Sequence, residues 1–307
     1  MTLKYKFIKI IDKFLWIIRM TIRYPLVFLL PDVLYLKQQY RRKMRRKLNL
    51  KKPVLYSEKV QWLKLYDRRP EYSKLVDKYE VRKYIAQTIG ERYLIPNYGV
   101  WTHFDEIPFD TLPNEFVLKC THDCGSVYIC KDKSRLDLTE LRKRFRKYLA
   151  VNCYYQRKEW VYKNIRPCII AEKLMIDESG VQLKDYKIYC FNGEPKIVNI
   201  IFDRFTTGTG GKKEYFFSPQ WEYQPVGSGG HPNDPNVKIQ KPKCLEEMLN
   251  LARKLSAGKI HVRVDFYVAA DKIYFGELTF YSCAGYERFD PPQWDKTFGD
   301  WMTLPKH

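Results

Sequence analysis

The stretch from His261 to Phe280, HVRVDFYVAADKIYFGELTF, restricts the fold more than any other part of the chain. Apolar and polar residues alternate on both sides of Ala270-Asp271, so the segment reads as two antiparallel strands, His261 to Val268 and Lys272 to Thr279, joined by a tight turn. The alternation sets Arg263 and Asp265 on one face of the first strand and Glu277 and Thr279 on one face of the second. Two carboxylates then meet across the hairpin. Hard oxygen donors on rigid neighbouring strands suit Mg2+, with nucleotide phosphates supplying further ligands. Arg263 is placed to meet a developing phosphoryl or acyl-phosphate charge, for which its planar fork fits better than a lysine. Taken alone, these residues fit a surface ion pair equally well.

The rest of the chain mixes both periodicities. Helical patterns run over Tyr56 to Tyr66, where Ser57 supplies a cap signal, Leu75 to Ile89, stopped by Gly90, Thr139 to Tyr155 and onward, and Leu245 to Leu255. Leu94 to Val100 contains Pro96 and reads as a short extended segment, and Cys168 to Met175 as a buried strand. Glu115 to Cys120 and Ser126 to Cys130 pair across the turn THDCG, while Lys187 to Phe191 and Pro195 to Phe202 form a hairpin about Asn192-Gly193. Thr206 to Gly211 and Gly227 to Gly230 are loop-like. Helices and antiparallel hairpins together predict an α+β (mixed α/β) fold, and 307 residues hold one large core or two to three subdomains sharing a cleft.

Three more segments offer chemistry. Lys119 ends an apolar strand and is followed by a Gly125-Ser126 turn whose backbone amides can cover phosphates, although one glycine turn is a weak motif. Glu172 closes a hydrophobic run, where a carboxylate can accept from ribose hydroxyls or simply mark a strand end. The eight cysteines lie singly in apolar stretches, which suits a reduced, cytoplasmic setting. Cys120, His122, Cys124 and Cys130 lack the paired short-spaced knuckles of a structural zinc site.

Charge is uneven. Residues 1–52 hold 15 lysines and arginines against Asp12 and Asp32, a net of +13 that leaves +7 for the other 255 residues. Phe7, Ile10, Ile11, Phe14, Leu15, Ile18 and Ile22 recur at helical spacing among cations, with Trp16 beside them. No unbroken apolar run of the roughly 20 residues a spanning helix needs is present. Such a basic amphipathic segment either lies on an anionic membrane surface, through residues 1–47 and as a peripheral protein at the inner face, or packs on the domain that follows. Nothing resembles a nucleic-acid-binding module, so no nucleic acid partner is expected.

Order joins the fragments. Lys78, Lys119 with its glycine turn, Glu172, Asp265 and Glu277 follow one another as in the ATP-grasp superfamily, and the phrases EKVQWLKLYD, DKYEVRKYI, GERYLIPNYGVW, LPNEFVLKC, DYKIYCFNGEP and RVDFY with FGELTF resemble the TupA-like ATP-grasp family of bacterial cell-wall and capsular polysaccharide genes. The resemblance runs from about Leu55 to the C-terminus. It implies an ATP-grasp domain over 53–307, in which a lid-like subdomain at about 115–175 and a metal-binding core at about 176–290 grip ATP. By position, Lys78 and Lys119 look like the phosphate-contacting lysines, Gly125 and Ser126 the mobile phosphate loop, and Glu172 the hinge acid of the adenosine pocket. Lys187 looks like a further phosphate-facing cation, with Asp185 ordering the loop or pairing with it. Asp265 and Glu277 look like the Mg2+ ligands, with Arg263 stabilising the transition state. Thr279 stands where many superfamily members carry Asn, which puts a third metal ligand there in doubt. The reaction implied is ATP-dependent activation of a carboxylate as an acyl phosphate that an amine opens to an amide, with an acidic sugar (uronic acid) and an amine as substrates. A glycosyltransferase or a membrane-docked non-catalytic scaffold are the competing readings; the former lacks an Asp-x-Asp motif at a strand end.

Overall fold

Two antiparallel sheets organise the chain. The computed structural model describes residues 30–176, 183–202, 213–228, 236 and 238–305. Helices α1 (Asp32–Met44), α2 (Tyr56–Tyr66), α3 (Glu71–Val76) and α4 (Val81–Thr88) come first. Strands β1 (Asn97–Trp101), β2 (Phe116–Cys120) and β3 (Val127–Cys130) follow, then α5 (Leu138–Leu149), α6 (Cys153–Arg157) and β4 (Ile169–Lys173). Next are β5 (Asp185–Phe191), β6 (Glu194–Phe202), β7 (Lys213–Phe217), β8 (Tyr223–Gln224) and β9 (Gly227–Ser228). Last come α7 (Leu245–Ser256), β10 (His261–Ala269), β11 (Lys272–Thr279), β12 (Phe289–Asp290) and α8 (Trp294–Trp301).

One sheet has four strands in the order β1-β4-β2-β3, the other six in the order β11-β10-β5-β6-β7-β8, and every neighbouring pair in them is antiparallel. Mixed helices and antiparallel sheets are the α+β class that the two hairpin patterns predict. Both tight turns use left-handed backbone at both central positions, Ala270-Asp271 and Asn192-Gly193, which matches the twist of the strands they join.

Each sheet buries one face against a helix. On α7, Leu245, Met248, Leu249, Ala252 and Leu255 recur at helical spacing and are buried against β5, β6 and β10, where Val262, Val264 and Phe266 point the same way. The alternate residues of β10, Arg263 and Asp265, therefore emerge on the opposite face. In the smaller sheet Phe116, Leu118, Ile169 and Ala171 pack against Leu141 and Phe145 of α5, whose start is capped by the Asp137 carboxylate.

Two predicted helices are broken, for one physical reason. Asp77 accepts from the backbone N–H of Tyr79 (2.8 Å) and Glu80 (2.9 Å), so Leu75 to Ile89 is two helices with Lys78 in the turn between them. Asn152 accepts likewise from Tyr154 N–H at 2.9 Å, and α5 ends at Leu149 before α6 begins. The buried strand read over Cys168 to Met175 shortens to β4, and Gly227-Ser228, read as loop, pairs with Phe289-Asp290.

Part of the basic N-terminal segment folds onto the domain. Tyr35, Leu36 and Tyr40 of α1 are buried with Leu48, the Tyr40 hydroxyl lies 2.8 Å from Ser57, and Arg46 pairs with the buried Asp295 in the first turn of α8. The amphipathic stripe from Phe7 to Ile22, with Trp16, lies outside the described residues, as does the loop 206–211. Among the described residues no helix is long and apolar enough to cross a membrane.

Candidate functional site

Asp265 and Glu277 are direct register partners across the β10–β11 hairpin, and Arg263 is opposite Thr279. The register then shifts, because Phe266 pairs with Phe275 and leaves Gly276 as the extra residue of a β-bulge. A Cβ at Gly276 would stand 3.1 Å from the Asp265 carbonyl oxygen and 3.0 Å from the Tyr267 ring, so a side chain there would press on the strand that carries the acid.

Arg263 ties the acids together. Its Nε donates to Asp265 Oδ1 at 2.6 Å, and its Nη2 to Asp265 Oδ2 at 2.7 Å, Glu277 Oε1 at 2.8 Å and the Thr279 hydroxyl at 3.0 Å. Burial works against this guanidinium, but Asp265 first, then Tyr189 and Glu277, hold it charged well above its ordinary range. On the other side of β10, Lys187 of β5 is the register partner of Asp265 and donates to its Oδ2 at 2.5 Å, with Asp185 3.7 Å away. Both oxygens of Asp265 are thus engaged by cations. Partial desolvation raises the Glu277 carboxyl, but Arg263 foremost, then Lys187, Lys78 and the hydroxyl of Thr279, outweigh it and bring it down to about 2.

The smaller sheet supplies the facing wall. Lys119 on β2 is opposite Ile170 of β4, so Glu172, two residues on, is its diagonal neighbour, and the ammonium donates to Glu172 Oε2 at 2.7 Å. Arg82 of α4 approaches the other oxygen at 3.6 Å. Lys78 is fixed to the β2–β3 turn, its N–H bonded to the Thr121 carbonyl at 3.0 Å and its ammonium to the carbonyls of Cys120 (3.0 Å) and Asp123. In that turn Gly125 has φ +124°, a conformation that disfavours any other residue, and nothing lies within 4 Å of where a Cβ would be. The Ser126 hydroxyl is bonded to the Asp123 carboxylate and buried beneath it.

These elements enclose one cleft of about 760 Å³. Lys78, Lys119, Gly125, Glu172, Lys187, Asp265 and Glu277 line it together. Ser126, Arg263 and Thr279 stand behind that wall and act through the residues they bond. Among the described residues the wall carries six cations, Lys78, Arg82, Lys119, Arg144, Arg157 and Lys187, against three acids, so it favours a polyanion. Arg82, Arg144, Arg157 and Tyr128 escape the sequence reading. For Arg82 a signal existed, four residues after Lys78; Arg144 and Arg157 arrive by packing of α5 and α6 and belong to no motif.

The donor set fits a hard divalent cation. Asp265 and Glu277 face each other on adjacent strands, and among the described residues no group of three His, Cys, Asp or Glu side chains forms a metal cluster, so further ligands would be phosphate oxygens and water. Glu277, its side chain 40% exposed, presents the more open carboxylate; Asp265 is 3% exposed and must share its oxygens with Arg263 and Lys187. The Thr279 hydroxyl donates to Glu277 Oε1 at 2.9 Å, which orients that acid.

Two antiparallel sheets closing on one cation-rich cleft, with an acid pair on a hairpin of the larger sheet, meet the expectation of an ATP-grasp fold. The family described as TupA-like ATPgrasp matches residues 58–303, about four-fifths of the sequence, and the chain belongs to that family. Solved structures with a similar arrangement include a D-alanine–D-alanine ligase from Bacillus anthracis complexed with ATP (17% identity, TM-score 0.38, covering 67% of this chain and 53% of that one). A D-alanine–D-alanine ligase from Helicobacter pylori has 14% identity and a TM-score of 0.41, over 81% of this chain and 69% of that one. The ATP-grasp ligase PsnB complexed with minimal precursor has 11% identity and a TM-score of 0.37, over 73% and 59%. The chain thus spans 53% of the length of the Bacillus anthracis ligase and 59% of that of PsnB. No curated protein matches the sequence.

Proposed function

We propose that this chain is an ATP-dependent carboxylate–amine ligase that works through an acyl phosphate, with a uronic acid of a bacterial surface polysaccharide or its precursor as the acid. The observation that carries the reading is the meeting of Lys78, Lys119, Lys187, Glu172, Asp265 and Glu277, from separate segments, on one cleft. In this reading Lys78 and Lys119 neutralise phosphate oxygens, and Glu172, held by Lys119 and Arg82, accepts from ribose hydroxyls. The Gly125 turn lays its amides over the phosphates. Asp265 and Glu277 would hold Mg2+, which when bound neutralises phosphate charge. An oxygen of the substrate carboxylate attacks the γ-phosphorus and the bond to the β–γ bridging oxygen breaks, releasing ADP. The amine nitrogen then attacks the acyl carbon, the carbon–oxygen bond to phosphate breaks, and the nitrogen loses a proton. Arg263 steadies the acid pair beside this developing charge. Positioning and charge neutralisation supply most of such catalysis.

The uronic acid and the amine rest on the family resemblance, which a direct search for product tests. The full chain is incubated with Mg-ATP, candidate uronic acids and a mixture of amines, and the products are read by mass spectrometry. The expected species has the mass of acid plus amine less water and forms with stoichiometric ADP. Glycosidic products formed with loss of nucleoside diphosphate from a nucleotide sugar would contradict the reading.

A further inference from the structure

Cys124 and Cys153 are distant in sequence, yet their sulfurs stand 3.8 Å apart. Cys124 precedes Gly125 in the β2–β3 turn and is exposed on the cleft wall, whereas Cys153 opens α6 and is buried. Bond formation needs the sulfurs to close to about 2 Å. The turn has room for that movement at Gly125, beside Cys124, where nothing lies within 4 Å of the position a Cβ would take.

The surroundings favour reaction at Cys124. The hydrogen bond with Cys153 foremost, then the Arg157 guanidinium, 4.0 Å from the sulfur, and Lys78 outweigh partial desolvation and Glu159 to hold this thiol below its ordinary range. An exposed thiol with raised thiolate character is the one a peroxide meets first. Cys124 foremost, and burial with it, push the Cys153 thiol up, so Cys124 is the sulfur that reacts first.

We propose that Cys124 and Cys153 are a peroxide-responsive dithiol whose disulfide fastens the β2–β3 turn to α6 and holds the Gly125 turn back from the phosphates it would cover. The Cys124 thiolate sulfur attacks a peroxide oxygen, the O–O bond breaks, and the departing hydroxide takes up a proton to leave as water. The resulting sulfenic acid is attacked by the Cys153 sulfur, which loses its proton as the S–S bond forms and a second water departs. Two thiols and one hydrogen peroxide thus give one disulfide and two waters. The bond itself is independent of the ligase reading; its effect on nucleotide rests on it.

The test treats the reduced full chain with hydrogen peroxide, then with a dithiol reductant. Oxidation is expected to remove two hydrogens from the intact mass, to lower the titratable thiols from the eight in the sequence to six, and to give one cross-linked peptide pair containing Cys124 and Cys153. Hydrogen exchange over residues 121–126 slows and recovers on reduction. Cys124→Ser abolishes the link, and Cys153→Ser leaves a sulfenic acid at Cys124 that dimedone traps. The thermal shift given by Mg-ATP is expected to be smaller after oxidation and regained on reduction. A link at other cysteines, a link that survives Cys153→Ser, or a disulfide that leaves exchange in the turn unchanged overturns the proposal. If the reduced protein gives no shift with Mg-ATP, the ligase reading has failed, while mass and exchange still decide the disulfide lock.

Discussion

Lys187 and Asp265 are register partners on adjacent strands, and their charged ends lie 2.5 Å apart with both side chains less than a tenth exposed. Asp265 also takes the fork of Arg263, so one carboxylate compensates two buried cations. Removing it leaves Lys187 to Asp185, 3.7 Å away, and Arg263 to Glu277, and breaking a buried pair in this way costs up to about 3–5 kcal/mol. Asp265→Asn is therefore expected to lower the urea unfolding free energy by an amount on that order, and its loss of activity cannot be read as chemistry alone.

Glu277 separates the two effects. Its side chain is 40% exposed, and such a half-open pair contributes about 1 kcal/mol or less. Glu277→Gln is expected to unfold within about 1 kcal/mol of the parent while losing Mg-dependent ADP release. Unchanged turnover, measured by a coupled ADP assay, would remove Glu277 from the metal site.

The bulge is needed for that geometry. At Gly276 a methyl group meets the Asp265 backbone oxygen at 3.1 Å, an atom that cannot swing aside. Gly276→Ala is expected to destabilise the fold by about 1–3 kcal/mol, as overpacking commonly does. Urea denaturation monitored by fluorescence gives the number.

Acid sensitivity should trace to His261, the first residue of β10. Its ring stacks on Phe191 with centroids 4.7 Å apart, its Nδ1 is 2.9 Å from the Cys190 carbonyl and its Nε2 is 3.2 Å from the Tyr56 hydroxyl. Burial, despite the Cys190 carbonyl, brings it from 6.5 down to about 4. The unfolded chain therefore binds this proton more readily than the folded one. The stability involved, roughly 3 kcal/mol at most from the size of the shift, is fully present above pH 6.5, is lost as pH falls below it, and is gone below about 4. Unfolding free energy measured across this window should fall in the parent and flatten in His261→Gln.

How far such relationships can be read from sequence depends on their range. The β10–β11 hairpin, its face with Arg263 and Asp265 and the meeting of the two acids follow from a period of two and a two-residue turn, both local. Lys119 and Glu172 are each visible at a strand end, but their bond depends on β4 lying beside β2, which no local pattern sets. Lys78 sits in a turn because the Asp77 side chain competes for the helix's N–H groups, and an apolar stripe continuing through the break conceals it. Arg144 and Arg157 reach the cleft through tertiary packing alone. Arg46 and Asp295, 249 residues apart, likewise make a contact that neither charge pattern announces.

That contact sharpens the choice for the N-terminal segment. Residues 32–48 are built into the domain through Tyr40, Ser57, Arg46 and Asp295, so residues 1–29 are the part of the expected membrane segment 1–47 that can be removed without breaking those contacts. Their deletion is expected to reduce co-sedimentation with anionic liposomes while the melting temperature and nucleotide binding stay close to those of the full chain. Equal sedimentation would assign the stripe to packing.

Calorimetric titration of Mg-ATP into the full chain and into Lys119→Met bears most directly on the shared cleft. Lys119 is a fifth exposed and replaceable without burying an unpaired charge other than Glu172, which keeps Arg82. Loss of one charge-assisted hydrogen bond is worth about 1.5–3 kcal/mol, or roughly 10- to 100-fold in affinity. Saturable binding to the full chain, weakened by that factor in the variant, is the expected result. Absence of Mg-ATP binding, or equal binding by both proteins, would contradict a triphosphate site formed by the two sheets.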